Sequence, residues 1–261
     1  MTHDPAADSI VCSDLSIAHT SVRGGQERVV DGVSFTLARG AALVLIGATG
    51  SGKSTLAAVL AGGAGAGVSV VGGDATVEGI SVRRPGRRRP LLTVLTGYLG
   101  QTDGATLPAR LTVGDIVAEP VTSRQRKVNA RALSFRVATL LDELGLPLGA
   151  VGMYPYELSA GMRQRVAFAR TLMLEPRLVI ADEPLANLDV EARELVRGAL
   201  ERRQRDHGLS LLLVANESES VARFDADVLA LQAGHAVGFG HGMDRMTWTP
   251  SSEADRRLVS S

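Results

Sequence analysis

Apolar positions along this chain follow two rhythms that alternate with each other. Residues 9–18 and 28–38 mix apolar and polar positions at short spacing and predict strands parted by the Gly24-Gly25 turn. Residues 41–46 (Ala-Ala-Leu-Val-Leu-Ile) are continuously apolar, as are Leu178–Ala181 and Leu209–Ala215. Such short unbroken runs are expected of strands covered on both faces of a parallel sheet. Helical spacing predicts helices at about 54–61, 161–174 and 190–206, and a longer helical stretch from Val113 to Glu157. That stretch is clearest over 130–144, where Leu133, Val137, Leu140, Leu141 and Leu144 fall on one face. Residues 62–90 are rich first in glycine and then in arginine, and predict turns with a short β excursion near 75–82. Val228–Leu231 and Ala236–Phe239 flank Gly234 as a terminal hairpin, and beyond Gly240 no pattern is legible. No internal repeat is visible. Strands alternating with helices predict an α/β fold with a mostly parallel sheet, whose ligands bind at the carboxyl ends of the strands. The two early strands form an antiparallel β subdomain, and residues 103–160 an inserted helical subdomain. One domain is expected over 9–240, followed by a tail at 241–261.

Charge and composition narrow the function. Lysine plus arginine number 28 and aspartate plus glutamate 28, so no global basic field exists of the kind that grips nucleic acid. Aromatics are 3% of residues, which leaves few platforms for stacking bases or sugars. The lone cysteine, Cys12, excludes an internal disulfide framework and fits a reducing compartment. No apolar run approaches the ~20 residues of a membrane-spanning helix, and the polar N-terminus has no secretory pattern. A soluble, cytoplasmic protein is expected. Lysine appears only at Lys53 and Lys127 amid abundant arginine, so a retained lysine invites a chemical explanation.

Lys53 lies in such a setting. Gly47-Ala48-Thr49-Gly50-Ser51-Gly52-Lys53-Ser54-Thr55 matches the phosphate-binding pattern G-x-x-x-x-G-K-[ST], after a buried strand and at a helix start. The glycines let the backbone curl so that successive N–H groups face a phosphate, and the helix adds its positive end. Lys53 supplies a point charge for the outer phosphates, and Ser54 a hydroxyl ligand for Mg²⁺. Leu178-Val-Ile-Ala-Asp182-Glu183-Pro184 delivers two adjacent carboxylates at the end of another buried strand. Asp182 is expected to hold Mg²⁺ and Glu183 to act as general base on the attacking water.

A third block, Leu158-Ser159-Ala160-Gly161-Met162-Arg163-Gln164-Arg165, resembles the signature sequence of ABC-type ATPases. Together with Tyr154–Val166, Ile180–Pro184 and the segment Gln101–Pro120, the chain is similar to the peptide/nickel importer branch from about residue 10 to 240. The resemblance implies a P-loop ATPase core that binds ATP and Mg²⁺ between two cassettes. It implies that Ser159 and Gly161 face the nucleotide of the second cassette, and that Gln101 reaches the metal and the attacking water. Asp189, in Ala186-Asn187-Leu188-Asp189, would connect the two sites. As isolated residues, Gln101 and Asp189 would read as solvated side chains. The implied partners are a second ATPase subunit, transmembrane permease subunits and an extracytoplasmic solute-binding protein, with no nucleic acid. The implied location is the cytoplasmic face of the membrane.

Three positions depart from the family pattern. Asn216 stands where a histidine is usual, and asparagine can donate a hydrogen bond but cannot titrate. His19 takes the place of the adenine-stacking aromatic, and Ala160 that of a glycine. These departures point to a pair of non-identical cassettes with unequal sites. The leading reading is an ATP-hydrolysing subunit that drives import of peptides or a related small solute. A regulatory subunit that binds ATP without hydrolysing it, an exporter ATPase, and a soluble ABC ATPase acting on DNA or ribosomes are the rivals. The cluster Arg83, Arg84, Arg87, Arg88, Arg89 reads as a solvated loop, with attraction to anionic lipid headgroups as the alternative.

Overall fold

The computed structural model describes residues 8–20, 25–63, 65–125, 127–215 and 218–248. Strands β1 (Asp8–Thr20) and β2 (Gln26–Ala38) are antiparallel, and β3 (Ala42–Ile46) runs into helix α1 (Lys53–Leu60). Strands β4 (Val68–Val77) and β5 (Ile80–Ser81) follow, then helix α2 (Arg89–Leu95) and strand β6 (Thr96–Leu99). Helices α3 (Val113–Thr122), α4 (Ala130–Glu143) and α5 (Ala160–Leu172) separate β6 from β7 (Leu178–Asp182). The chain continues through α6 (Val190–His207), β8 (Ser210–Val214), α7 (Ser218–Arg223), β9 (Asp227–Gln232), β10 (His235–His241) and β11 (Arg245–Trp248).

Two sheets result. The smaller has the order β2-β1-β4-β5 and is antiparallel throughout. The larger has the order β11-β10-β9-β3-β8-β7-β6, parallel from β9 to β6 and antiparallel at the β9-β10-β11 edge. Alternation along the central strands divides the core in two. Leu43, Leu45, Leu178, Ile180, Leu212 and Val214 pack with α1 and the small sheet. Val44, Val179, Leu211 and Leu213 point the other way, onto the layer that holds α5 and α6. Both faces of these strands are therefore dry, which is why their sequence is apolar without interruption. The α/β class, the mostly parallel sheet, the antiparallel subdomain and the helical insertion are all borne out.

Several elements differ from expectation. The β excursion is longer and begins earlier, because β4 pairs along β1 from His19 opposite Val68 to Ile10 opposite Val77. Helix α2 and strand β6 were not foreseen. The helical stretch 113–157 is broken into α3, α4 and 3₁₀ turns at Leu148–Gly152 and Pro155–Glu157. Gly145 takes a left-handed φ of 65° just past α4, and Pro147 and Pro155 bar a helix from running on. In α4 the expected face is real, with Val137, Leu140 and Leu141 buried and Leu144 just beyond. Past Gly240, where no pattern was legible, β11 pairs with β10. Arg83 and Arg84 lie in irregular backbone as expected of a loop, whereas Arg87 and Arg88 sit in a 3₁₀ turn (Gly86–Arg88) and Arg89 opens α2.

Cys12 is buried and its Sγ donates to the Val33 carbonyl at 3.3 Å, and burial pushes its thiol up to about 12. It is a packing residue at neutral pH, not a nucleophile. Among the described residues no helix is long and apolar enough to cross a membrane.

Phe168 on α5 is 1% exposed and sits in the core beneath the helical layer. Phe168→Ala is expected to destabilise the chain by about 3–5 kcal/mol, read as a lower midpoint in urea unfolding with the slope unchanged.

Candidate functional site

Strand β3 ends at Ile46, and the backbone then turns through a loop that only glycine can make at two places. Gly47 has φ 143°, and a Cβ there would lie 2.1 Å from the Leu231 carbonyl oxygen. Gly52 has φ 97°, and its Cβ would lie 2.6 Å from the Val29 carbonyl. The loop is pressed between β9 and β2, so its curl is fixed by neighbours as well as by its own torsions. Lys53 opens α1 and is 7% exposed. Its ammonium donates to the carbonyls of Gly47 at 2.6 Å and Ala48 at 2.9 Å, and lies 3.3 Å from Ser51 Oγ. The positive charge is thus folded over the mouth of the loop.

The end of β7 lies against the same helix start. Asp182 is 2% exposed; the Ser54 hydroxyl bonds its carboxylate, while Oδ1 has no hydrogen-bond partner among the described residues. Burial raises its pKa above the ordinary carboxylate value; the Ser54 bond opposes this, the charge of Glu183 adds to it, and Lys53 opposes it. A buried carboxylate oxygen left over beside a hydroxyl is the hard-oxygen pair that Mg²⁺ accepts, with substrate phosphates and water completing its shell. The residues fit that ion. Among the described residues no cluster of three or more His, Cys, Asp or Glu could hold a metal by side chains alone.

Glu183 follows with φ 50°, a left-handed conformation rare outside glycine, held by its N–H donating to the Val214 carbonyl at 2.9 Å. This turn swings its side chain across the sheet end. There Gln101 Nε2 donates to Glu183 Oε2 at 3.0 Å, across 82 positions of sequence. The two meet because β6 and β7 are parallel neighbours, Leu99 opposite Ala181, and each leads straight into its polar residue. Thr49, Gly50, Ser51, Gly52, Lys53, Ser54, Thr55, Gln101 and Glu183 line one cleft of about 170 Å³, with Val29 and Val214. Gly47 and Ala48 support it as acceptors for Lys53. Val29 and Val214 were missed: each is an ordinary strand valine, and nothing in the sequence marks it.

Other expected residues lie elsewhere. His19 is exposed near the end of β1, opposite Glu27 and Val68, and does not line the cleft. Ser159 caps α5, its Oγ accepting from the Met162 N–H at 3.1 Å. Ala160 is already helical, so the methyl in place of glycine meets no torsional penalty there. A Cβ on Gly161 would lie 3.2 Å from the Asn187 carbonyl, so the signature segment touches the 186–189 turn. Asp189 caps α6, accepting from the Ala192 N–H at 2.8 Å. Ser159, Gly161 and Asp189 are not among the residues that line the cleft. Asn216 lies outside the described residues.

The raised pKa of Asp182 gives a signed expectation. Its charge opposes folding at neutral pH, and the penalty vanishes as pH falls below the value the group has in the unfolded chain. Asp182→Asn is expected to raise the thermal midpoint of the ligand-free chain at pH 7, with the gain shrinking toward zero as acid protonates the wild-type carboxylate. Melting curves across pH check it; a lower midpoint at pH 7 would contradict it.

Residues 30–186 match a family model described as ABC transporter. The chain is 32% identical over 260 residues to the oligopeptide transport ATP-binding protein OppF of Escherichia coli K12, covering 95% of this chain and 76% of that protein. It is 35% identical over 244 residues to the oligopeptide transport ATP-binding protein OppD of Mycobacterium tuberculosis, covering 91% of this chain and 38% of that protein. Its fold is similar to the dimeric structure of a bacterial ABC transporter cassette, with a TM-score of 0.79 at 19% identity over 93% of this chain and 100% of that one. With phosphate loop, signature segment and carboxylate strand in one cassette fold, the chain belongs to the ABC transporter family, in which it is an ATPase.

Proposed function

We propose that this chain is the ATP-binding subunit of a peptide importer, and that it hydrolyses MgATP between its own cleft and the α5 end of a second cassette. The observation that carries the reading is the hydrogen bond from Gln101 to Glu183 in the cleft that Lys53 and Ser54 line. A base and a positioning amide stand there beside a phosphate-binding loop. The names of OppF and OppD support the peptide.

The chain's own residues divide the work. Backbone N–H groups of 47–52 and the start of α1 receive the phosphates. Lys53 exchanges its loop carbonyls for phosphate oxygens, and its charge moves little because those carbonyls already hold it at the loop. Ser54 and Asp182 would hold Mg²⁺, with Gln101 reaching toward it, and the ion supplies charge neutralisation to the outer phosphates. Glu183 accepts a proton from the attacking water as its oxygen bonds to the terminal phosphorus and the bond to ADP breaks. Gln101 holds that carboxylate and the water in line. His19 serves the adenine end only if nucleotide binding brings that part of β1 to the cleft.

Ser159 and Gly161 face the partner's nucleotide, and Asp189 sits between the two sites. Residues 9–240 act as one ATPase unit with 103–160 as its helical part, and the sheet extends beyond it through β11. The insertion meets permease subunits at the cytoplasmic face of the membrane, and an extracytoplasmic protein delivers the solute. Asn216 cannot titrate, so the partner cassette is non-identical and the site built on this phosphate loop is the slower one.

Single-turnover hydrolysis by the assembled complex tests both parts. Glu183→Gln is expected to retain ATP binding and to lower hydrolysis at its own site by about 100-fold or more, while the equivalent change in the partner removes most steady-state turnover. Equal loss from the two changes would overturn the asymmetry, and full hydrolysis after Glu183→Gln would overturn the role of the base.

A further inference from the structure

Some of the described arginines are held by carboxylates. Arg28, Arg39, Arg136, Arg170, Arg203 and Arg223, among others, each meet a carboxylate. The segment 83–89 gathers five arginines within seven positions. Arg83, Arg84, Arg87, Arg88 and Arg89 are all exposed, and among the described residues none forms an ion pair. Three are instead fastened to backbone carbonyls: Arg83 to Gly73 at 3.1 Å, Arg88 to Gly79 at 3.3 Å and Arg89 to Gly62 at 3.4 Å. These anchors hold the charge in place without neutralising it. Carboxylates near this edge are engaged elsewhere. Asp74 takes the Ser81 hydroxyl, Glu78 is buried on Arg39, and Glu119 is paired with Arg170.

A second basic segment arrives from the helical insertion. Arg124, at the end of α3, donates to Thr93 Oγ1 on α2 at 3.3 Å, and exposed Lys127 follows it. Apolar surface adjoins the charge. Leu91 on α2 is 44% exposed, and a groove of about 390 Å³ has Val59, Val70 and Val82 in its walls with Arg83 and Arg89 at its edge. The stretch 82–95 has no aromatic ring to stack a base. Fixed, unneutralised guanidinium groups beside exposed leucine suit an amphiphilic anion better than a nucleic acid.

We propose that the edge formed by Arg83–Arg89, Arg124 and Leu91 binds the anionic headgroups of a lipid bilayer. It would orient the cassette on the membrane independently of its contacts with permease subunits. Attraction of this kind is strong at low salt and fades when the screening length shrinks below the separation of the charges.

The test uses the purified full chain without nucleotide, sedimented with vesicles of phosphatidylcholine alone or with about one third phosphatidylglycerol. Binding is expected only to the anionic vesicles and is lost in about 0.5 M salt. Arg84→Gln with Arg87→Gln, which removes charge without breaking any of the carbonyl anchors, is expected to weaken vesicle binding about tenfold. ATP affinity should stay unchanged, so that failure here is separable from failure of the ATPase reading. Arg131→Gln with Arg202→Gln, exposed positions on α4 and α6, serves as the charge control and should bind as wild type. Equal binding to neutral vesicles, no binding to anionic ones, or equal weakening by the control pair would overturn the proposal. So would patch-dependent binding of a single-stranded RNA oligonucleotide by a chain that ignores the vesicles.

Discussion

Burying the Asp182 carboxylate at the end of β7 sets the terms for what surrounds it. A charge this deep is costly unless other groups answer it, and one of its oxygens has no hydrogen-bond partner among the described residues. The Ser54 hydroxyl and the nearby Lys53 charge offset the cost, and both come from the first turn of α1. Helix α1 must therefore begin against the end of β7, which requires the chain leaving β3 to reverse within a few residues. Gly47 and Gly52 make that reversal possible, since any side chain at either would strike a carbonyl of β9 or β2. The two halves of the site are thus one electrostatic arrangement, and neither is built without the other.

The same economy governs Glu183. Its left-handed backbone costs of order 1 kcal/mol or more, and the hydrogen bond to Val214 helps hold it. What the strain achieves is direction: the carboxylate next to buried Asp182 is turned outward to meet Gln101. Two adjacent acids then occupy different environments, one dry and suited to a cation, the other open to the cleft and suited to a proton. The signature segment meets the 186–189 turn through Gly161 and Asn187, and that turn is tied to Glu183 by the Ala186 N–H donating to its carbonyl at 3.1 Å.

Much of this was legible in the residues. The strands β3, β7 and β8 announce themselves because both faces are buried and every position must be apolar. The helix starts at Ser159 and Asp189 carry capping side chains, and the phosphate loop carries its own spacing. Strand β6 was illegible because Thr96-Gly97-Tyr98-Leu99 is short, contains glycine and follows α2 without a break. Gly97 is there because Thr171 and Pro176 pack within 3.0 Å of where a Cβ would sit, a tertiary reason invisible in a linear chain. Strand β11 was missed because three of its four residues are exposed and give no alternation. The pairing of Gln101 with Glu183 depends on strand neighbours distant in sequence, and the family resemblance implied only that Gln101 reaches the metal and the attacking water.

Isothermal titration of MgATP into the wild-type chain and into Lys53→Ala tests the central arrangement most directly, with melting curves to establish that both are folded. Loss of a charge-assisted hydrogen bond to the outer phosphates is expected to weaken affinity by about 10- to 100-fold. An unchanged dissociation constant in a folded Lys53→Ala chain would contradict the assignment of this loop as the phosphate site.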